Sequence, residues 1–169
     1  MLGVLVRPAS ADDLPALTDI YNHYIVNTAI TFDLHPFSVD DRRDWFLNHS
    51  GGRYRLLVAA DGRGQAMGYA SSSQFRTKAA YDTTVESSIY CRAEVVGRGV
   101  GTMLYRALFE TLKGEDVNRI VAGVTLPNPA SLALHERCGF RQVGAFSSVG
   151  RKFGRYWDVA WLERPLLIR

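Results

Sequence analysis

Val96-Gly97-Arg98-Gly99-Val100-Gly101 decides how this chain is read. It follows a β-forming run, Thr84–Cys91, and opens a helix whose Val100, Leu104, Leu108 and Leu112 share one face. Glycines here permit positive φ and close approach of a ligand to the backbone. A turn feeding a helix N-terminus aims several N–H groups at one point, and the helix dipole adds partial positive charge. A pyrophosphate suits such a cradle, with Arg98 as added charge. A tight turn with glycines kept for packing explains the same pattern without a ligand. No Gly-Lys-Ser/Thr follows, so this is not a Walker loop. The glycines lie far from the first strand, and no ribose-binding acid follows at about 20 residues, which argues against a dinucleotide fold.

Outward from the loop, strand and helix patterns alternate. Val4–Arg7 reads as a strand. Ser10, Asp12 and Asp13 offer capping oxygens to a helix bearing Leu14, Leu17, Tyr21, Tyr24 and Ile25, with Pro15 tolerable only near its start. Ser38-Val39-Asp40-Asp41 resembles a capping box before a second helix carrying Trp45 and Phe46, with Gly51-Gly52 as its stop. Tyr54–Ala60 and Gln65–Ser72 flank Asp61-Gly62-Arg63-Gly64 as a hairpin. Beyond the loop helix, Arg119–Val124 is an apolar strand. Asn128 is an N-cap, Pro129 sits at the first helical position, and Gly139 ends that helix. Strands around Arg141–Val149 and Tyr156–Arg164 finish the chain. The predicted order is β-α-α-β-β-β-α-β-α-β-β, an α/β (α+β) architecture with residues 1–169 as one domain.

Composition bounds the function. The chain has 169 residues, 47% hydrophobic and 22% charged, as ordinary globular domains do. Its 20 Lys+Arg against 17 Asp+Glu give +3. The basic residues are scattered, so no nucleic-acid or membrane partner is expected. Cys91 and Cys138 fit neither a disulfide framework nor a metal motif, so no metal is expected. The N-terminus does not read as a secretory leader, and no apolar run approaches the ~20 residues that span a bilayer. The expected setting is soluble and cytoplasmic.

A family resemblance gathers these segments. The glycine loop and Asn128-Pro129-Ala130-Ser131-Leu132-Ala133-Leu134-His135-Glu136-Arg137-Cys138-Gly139-Phe140 resemble the GNAT superfamily of N-acetyltransferases. Val96 stands where Gln or Arg is usual. Ile20-Tyr21-Asn22, Ala80-Tyr81-Asp82-Thr83-Thr84-Val85-Glu86-Ser87-Ser88-Ile89-Tyr90, Val124-Thr125-Leu126-Pro127-Asn128 and the stretch Val149–Val159 narrow the likeness to the phosphinothricin / methionine sulfoximine N-acetyltransferase group. It covers roughly Val4 to Leu166. It implies a GNAT fold: a central mixed, mostly antiparallel twisted sheet flanked by helices, splayed at the acetyl-CoA site. It implies acetyl transfer from acetyl-CoA, as co-substrate, to the α-amino group of a small amino-acid-like acceptor in a ternary complex, by a homodimer.

The same resemblance assigns residues. Glu86 is the implied general base. By alternation it shares a face with Thr84, Ser88 and Tyr90, but neither face is cleanly apolar, so the strand pattern alone leaves it inward or solvated. Partial burial raises a carboxyl's pKa, which suits a base. His135 replaces the tyrosine that usually serves as acid, and is expected to assist proton transfer or orient the acceptor; a packing role is its alternative. Val96, Gly97, Arg98, Gly99, Val100, Gly101 and Thr102 form the implied pyrophosphate cradle, with Asn128 and Ser131 as further coenzyme contacts. Ile89, Tyr90 and Cys91 are expected to offer main-chain groups to pantetheine where a bulge parts the strands, and one N–H to serve the oxyanion. The Cys91 thiol is expected to pack rather than react. Arg76 is expected to grip the acceptor carboxylate, with Phe32, Asp33, Tyr81, Lys152 and Phe153 around the pocket. Acetylation of a protein N-terminus or a polyamine, and a non-catalytic CoA-binding sensor, are the alternatives.

Overall fold

The computed structural model describes residues 3–49 and 51–166. The strands are β1 (Leu5–Pro8), β2 (Leu56–Ala60), β3 (Ala66–Gln74), β4 (Thr84–Cys91), β5 (Arg119–Thr125), β6 (Arg141–Lys152) and β7 (Arg155–Pro165). The helices are α1 (Leu14–Asn27), α2 (Arg43–Leu47), α3 (Val100–Leu112) and α4 (Pro129–Arg137). Element types and order agree with the sequence pattern.

The capping predicted before the first two helices holds. Ser10 N–H donates to Asp13 Oδ2 at 2.7 Å, and Arg7 holds the same carboxylate from β1 at 2.7 and 2.9 Å. Arg7 holds the Asp13 carboxyl below its usual range. Ser38 N–H donates to Asp41 Oδ2 at 2.8 Å, and Asp41 N–H donates to Ser38 Oγ at 3.2 Å. The second helix nevertheless ends at Leu47, before the Gly51-Gly52 stop. None of its residues is buried, so little packing carries it further.

The strands form one seven-stranded sheet in the order β1-β2-β3-β4-β5-β7-β6. Every pair is antiparallel except β4–β5. That exception follows from the β4–α3–β5 crossover, which returns the chain in the same direction. Alternation divides the sheet's surface. Leu57, Ala59, Ala70 and Val85 pack against Leu104, Tyr105, Leu108 and Leu112 of α3. Leu56, Val58 and Tyr69 pack with Leu17 and Ile20 of α1 on the other side.

Parallel pairing of β4 with β5 covers Thr84↔Arg119, Val85↔Ile120 and Glu86↔Val121, and then stops. On its other edge β4 stays paired with β3 as far as Cys91↔Gly68. The predicted splay is therefore present, but the predicted bulge is not. The β3–β4 register is unbroken, and the gap opens because β5 departs after Val121. Arg92 N–H donates to Met67 O, which fixes the ladder's alternation. The main-chain groups of Ile89 and Cys91 consequently face the gap.

The β6–β7 hairpin is longer than the sequence pattern indicates. It turns at Phe153–Gly154, both at positive φ (52° and 73°). Such a two-residue turn matches the twist of a hairpin. β6 is a sheet edge and is exposed along nearly its whole length.

Candidate active site

The glycine loop is an open turn that leads directly into α3. Gly97 and Gly99 take φ of +81° and +86°, conformations that a side chain resists, and no atom lies within 4 Å of where their Cβ atoms would be. Gly99 caps α3, whose first-turn N–H groups lack intrahelical partners. Thr102 Oγ1 is buried beside the Cys138 thiol, turned away from the loop. Open space, positive φ and free amides together fit a phosphate group. Val96, Gly97 and Arg98 are exposed at its rim, and Val100 is buried. Gly101 meets Leu134 of α4, where a Cβ would lie 2.9 Å from Cδ2. Its lack of a side chain brings α3 and α4 together.

Asn128 caps α4, accepting from Ser131 N–H at 3.1 Å through its side-chain oxygen. Ser131 leads to His135, which is only 3% exposed. His135 Nδ1 donates to Ser131 O at 2.8 Å, so Nε2 is the acceptor for the Tyr105 hydroxyl, also at 2.8 Å. Tyr105 in turn lies 3.4 Å from Ser87 Oγ beside the splay. Burial lowers the His135 pKa. Both ring nitrogens are engaged on the α3–α4 face, so this histidine reaches the splay only through Tyr105 and does not meet the cleft described next.

Glu86 lies on the opposite face with Ser88 and Tyr90. It is part-buried, and burial raises its pKa while the Arg76 charge opposes the rise. Among the described residues, no hydrogen bond engages its carboxylate. Beside it opens a cleft of about 190 Å³, floored by Ser71, Ser73, Ser88 and Tyr90 and walled by Tyr21, Asp33, Arg42 and Trp45. Tyr21 O–H donates to Asp33 Oδ2 at 2.5 Å.

The residues expected around the acceptor fall into two groups. Arg76 is exposed beside Phe75, and Tyr81 meets the Phe75 ring edge-on at a centroid distance of 5.8 Å. On the other side, Lys152 is 4% exposed and its Nζ donates to Thr31 O at 2.8 Å. Phe32 packs on Gly150, where a Cβ would lie 2.2 Å from the ring. The β6–β7 hairpin is thereby fastened to the loop that carries Asp33. Phe153 points outward and is 59% exposed. Arg42 and Trp45 were missed by sequence reading. Their signal was an arginine three positions before a tryptophan on a short helix, within a charge run that reads as solvated surface.

Cys91 and Cys138 are free thiols. Burial pushes the Cys91 thiol up to about 11, so it stays protonated at neutral pH. Its carbonyl accepts from the Tyr24 hydroxyl. Among the described residues no cluster suits a metal ion, and no helix is long and apolar enough to cross a membrane.

Comparison with known proteins now defines the class. The acetyltransferase (GNAT) family matches residues 17–140, and this chain belongs to that family. More particularly, it is 54% identical over 165 residues to a phosphinothricin N-acetyltransferase of Streptomyces coelicolor, with 96% of each chain covered. It is 35% identical to an L-methionine sulfoximine/L-methionine sulfone acetyltransferase of Pseudomonas aeruginosa, covering 98% of this chain and 96% of the relative. A phosphinothricin acetyltransferase from Sinorhizobium meliloti, solved with acetyl-CoA, superposes with a TM-score of 0.92 at 34% identity, covering 98% of this chain and 89% of that one.

Proposed function

We propose that residues 1–169 form a single catalytic domain that transfers acetyl from acetyl-CoA to the α-amino group of a small, glutamate-like amino acid, directly within a ternary complex. Phosphinothricin, methionine sulfoximine and methionine sulfone are the acceptors that the relatives' names support. The observation carrying the reading is the part-buried, unengaged Glu86 carboxylate between an acceptor-sized cleft and the β4–β5 splay.

Bound acetyl-CoA supplies an activated acetyl thioester. The Gly97–Thr102 amides hold its pyrophosphate, with Arg98 at the rim and Asn128 and Ser131 flanking. The strand segment Ile89–Cys91 offers main-chain groups to the pantetheine, and an N–H facing the gap donates to the oxygen that gains charge. Glu86 takes the acceptor's ammonium proton, directly or through water, which leaves the amine free to attack. Arg76 holds the acceptor carboxylate, with Tyr81 on the same side; Phe32 and Lys152 shape the site from the other side by fastening the hairpin to the Asp33 loop, and Phe153 stays at the exposed turn. His135 fixes the Tyr105 hydroxyl beside Ser87 at the splay; it is a positioning residue. No acyl-cysteine is involved, since a protonated Cys91 is a poor nucleophile.

The protein acts in the cytoplasm as a homodimer. The exposed β6 edge, with Val143, Phe146 and Val149 all more than half exposed, supports pairing between copies. Detoxification of, or resistance to, glutamate-like inhibitors is the corresponding role.

The test is free-thiol release from acetyl-CoA across a panel. Turnover with phosphinothricin, methionine sulfoximine or methionine sulfone is expected. Turnover confined to polyamines or N-terminal peptides would contradict the acceptor assignment. Coenzyme binding with no thiol release from any amine would indicate a sensor.

A further inference from the structure

We propose that Arg42 forms a second acceptor subsite, which reads an oxygen-bearing head at the far end of the acceptor's side chain. The inference rests on the acceptor reading above and adds what the cleft selects.

Arg42 ends the turn Asp40–Arg42 that leads into α2, and it is only 5% exposed. Its guanidinium lies over the Trp45 ring at 3.8 Å and the Tyr21 ring at 4.5 Å. Stacking of this kind fixes the plane of the fork while leaving its edge free to donate. Among the described residues no ion pair engages it; the fork lies against the Tyr69 hydroxyl, and Nη1 is buried with no hydrogen-bond partner. A buried guanidinium with an unpaired N–H is costly, so the arrangement points to an acceptor that arrives with the ligand. Asp33 and Asp41 line the same cleft, but neither bonds the guanidinium: Asp33 accepts from the Tyr21 hydroxyl and Asp41 from Ser38 N–H and Oγ.

The surroundings define the ligand's chemistry. Ser71, Ser73 and Ser88 place hydroxyls on the floor beneath the guanidinium, and Tyr21, Trp45, Tyr69 and Tyr90 enclose it with aromatic surface. Fixed donors within an apolar wall suit a compact group with several acceptor oxygens. A phosphinate fits best because it also brings charge. A sulfonyl group fits through hydrogen bonds alone, and a thioether offers Arg42 nothing. Arg42 reaches over Tyr21 into the cleft that lies beside Glu86, whose charged neighbour is Arg76. An amino acid with its amine at Glu86 and its carboxylate at Arg76 thus turns its head into the cleft towards Arg42.

The test compares Arg42→Gln and Arg42→Lys with wild type on phosphinothricin, methionine sulfone and methionine, with acetyl-CoA affinity measured in parallel. In Arg42→Gln the KM for phosphinothricin rises about 10- to 100-fold, the size expected for one charge-assisted hydrogen bond. The rise is smaller for the sulfone and smallest for methionine, while kcat changes little. Arg42→Lys recovers part of the phosphinothricin KM, and both variants keep acetyl-CoA affinity. Equal losses on all three acceptors would overturn the proposal, because Arg42 would then hold a group common to them. So would unchanged KM values, or loss of acetyl-CoA binding in both variants. If wild type acetylates none of the three, the reaction assignment fails instead. The subsite is then read by titration with dimethylphosphinate: binding lost in Arg42→Gln upholds it, and equal binding by both proteins overturns it.

Discussion

On the α1–α2 face of β4, Ser88 and Tyr90 line an open cleft with Glu86 beside it, and a carboxylate and a guanidinium there both have unused hydrogen-bonding capacity. On the α3–α4 face, Ser87 lies under Tyr105 and His135, and each hydrogen-bonding group of that histidine is used. One strand carries both arrangements because successive side chains point to opposite sides. The ring nitrogens of the packed histidine are satisfied within the fold, as stability requires. Glu86 and Arg42 keep capacity that the proposed acceptor would use. The contrast separates the two residues expected to handle protons: Glu86 has the freedom to take one, and His135 is already committed.

Substitutions should affect the two faces differently. The largest expected effect is on activity. Glu86→Ala should lower kcat/KM by about 10²- to 10⁴-fold, the range for loss of a general base, with acetyl-CoA affinity and melting temperature nearly unchanged. Steady-state kinetics and calorimetry check this, and a large stability loss with modest kinetic loss would reverse the contrast. His135→Ala should do the opposite. It leaves a cavity and an unpaired Tyr105 hydroxyl, and should cost about 2–4 kcal/mol in denaturant unfolding while the folded fraction retains most of its activity. Loss of turnover without loss of stability would restore a direct chemical role to His135.

Tyr105→Phe tests the same side more gently. It removes the hydroxyl between Ser87 and His135, and about 1–2 kcal/mol of stability should go with it. The smallest effect is on pH dependence. Burial lowers the pKa of His135, and also of His49, whose Nδ1 bonds Trp45 O. The unfolded chain then binds more protons than the folded one below about pH 6.5. Stability is therefore flat above about pH 7 and falls as pH drops from about 6.5 towards 5. His135→Ala should remove its share of that decline and leave the His49 share. A melting temperature independent of pH over that window would contradict the buried, neutral assignment.

How far the sequence could be read follows the same division. Alternation and capping gave every element in order, because Ser38–Asp41, Asn128-Pro129 and the apolar spacing of α3 act locally. The glycine loop was legible for the same reason: positive φ at Gly97 and Gly99 needs only the chain itself. Bounds set by tertiary packing were less legible. The second helix stopped early, β6 ran on to Lys152, and the splay came from the departure of β5 rather than from a bulge. Glu86 could be named from its motif, but its face was ambiguous until α1 and α3 were placed. Arg42 was hidden because its meaning is wholly non-local. A charged residue in Asp40-Asp41-Arg42-Arg43-Asp44 looks solvated until Tyr21, from α1, and Trp45 close over it.

The most direct test of the account is the pH dependence of kcat/KM for wild type and Glu86→Gln, measured with an acceptor from the panel. Wild type should show an acidic limb, rising with pH, whose midpoint lies above the ordinary glutamate value of about 4.3, because Glu86 must be ionised and burial raises its pKa. Glu86→Gln should be at least about 100-fold slower and should lack that limb. A Glu86→Gln enzyme with the wild-type rate and an unchanged limb would contradict the assignment of Glu86 as the base.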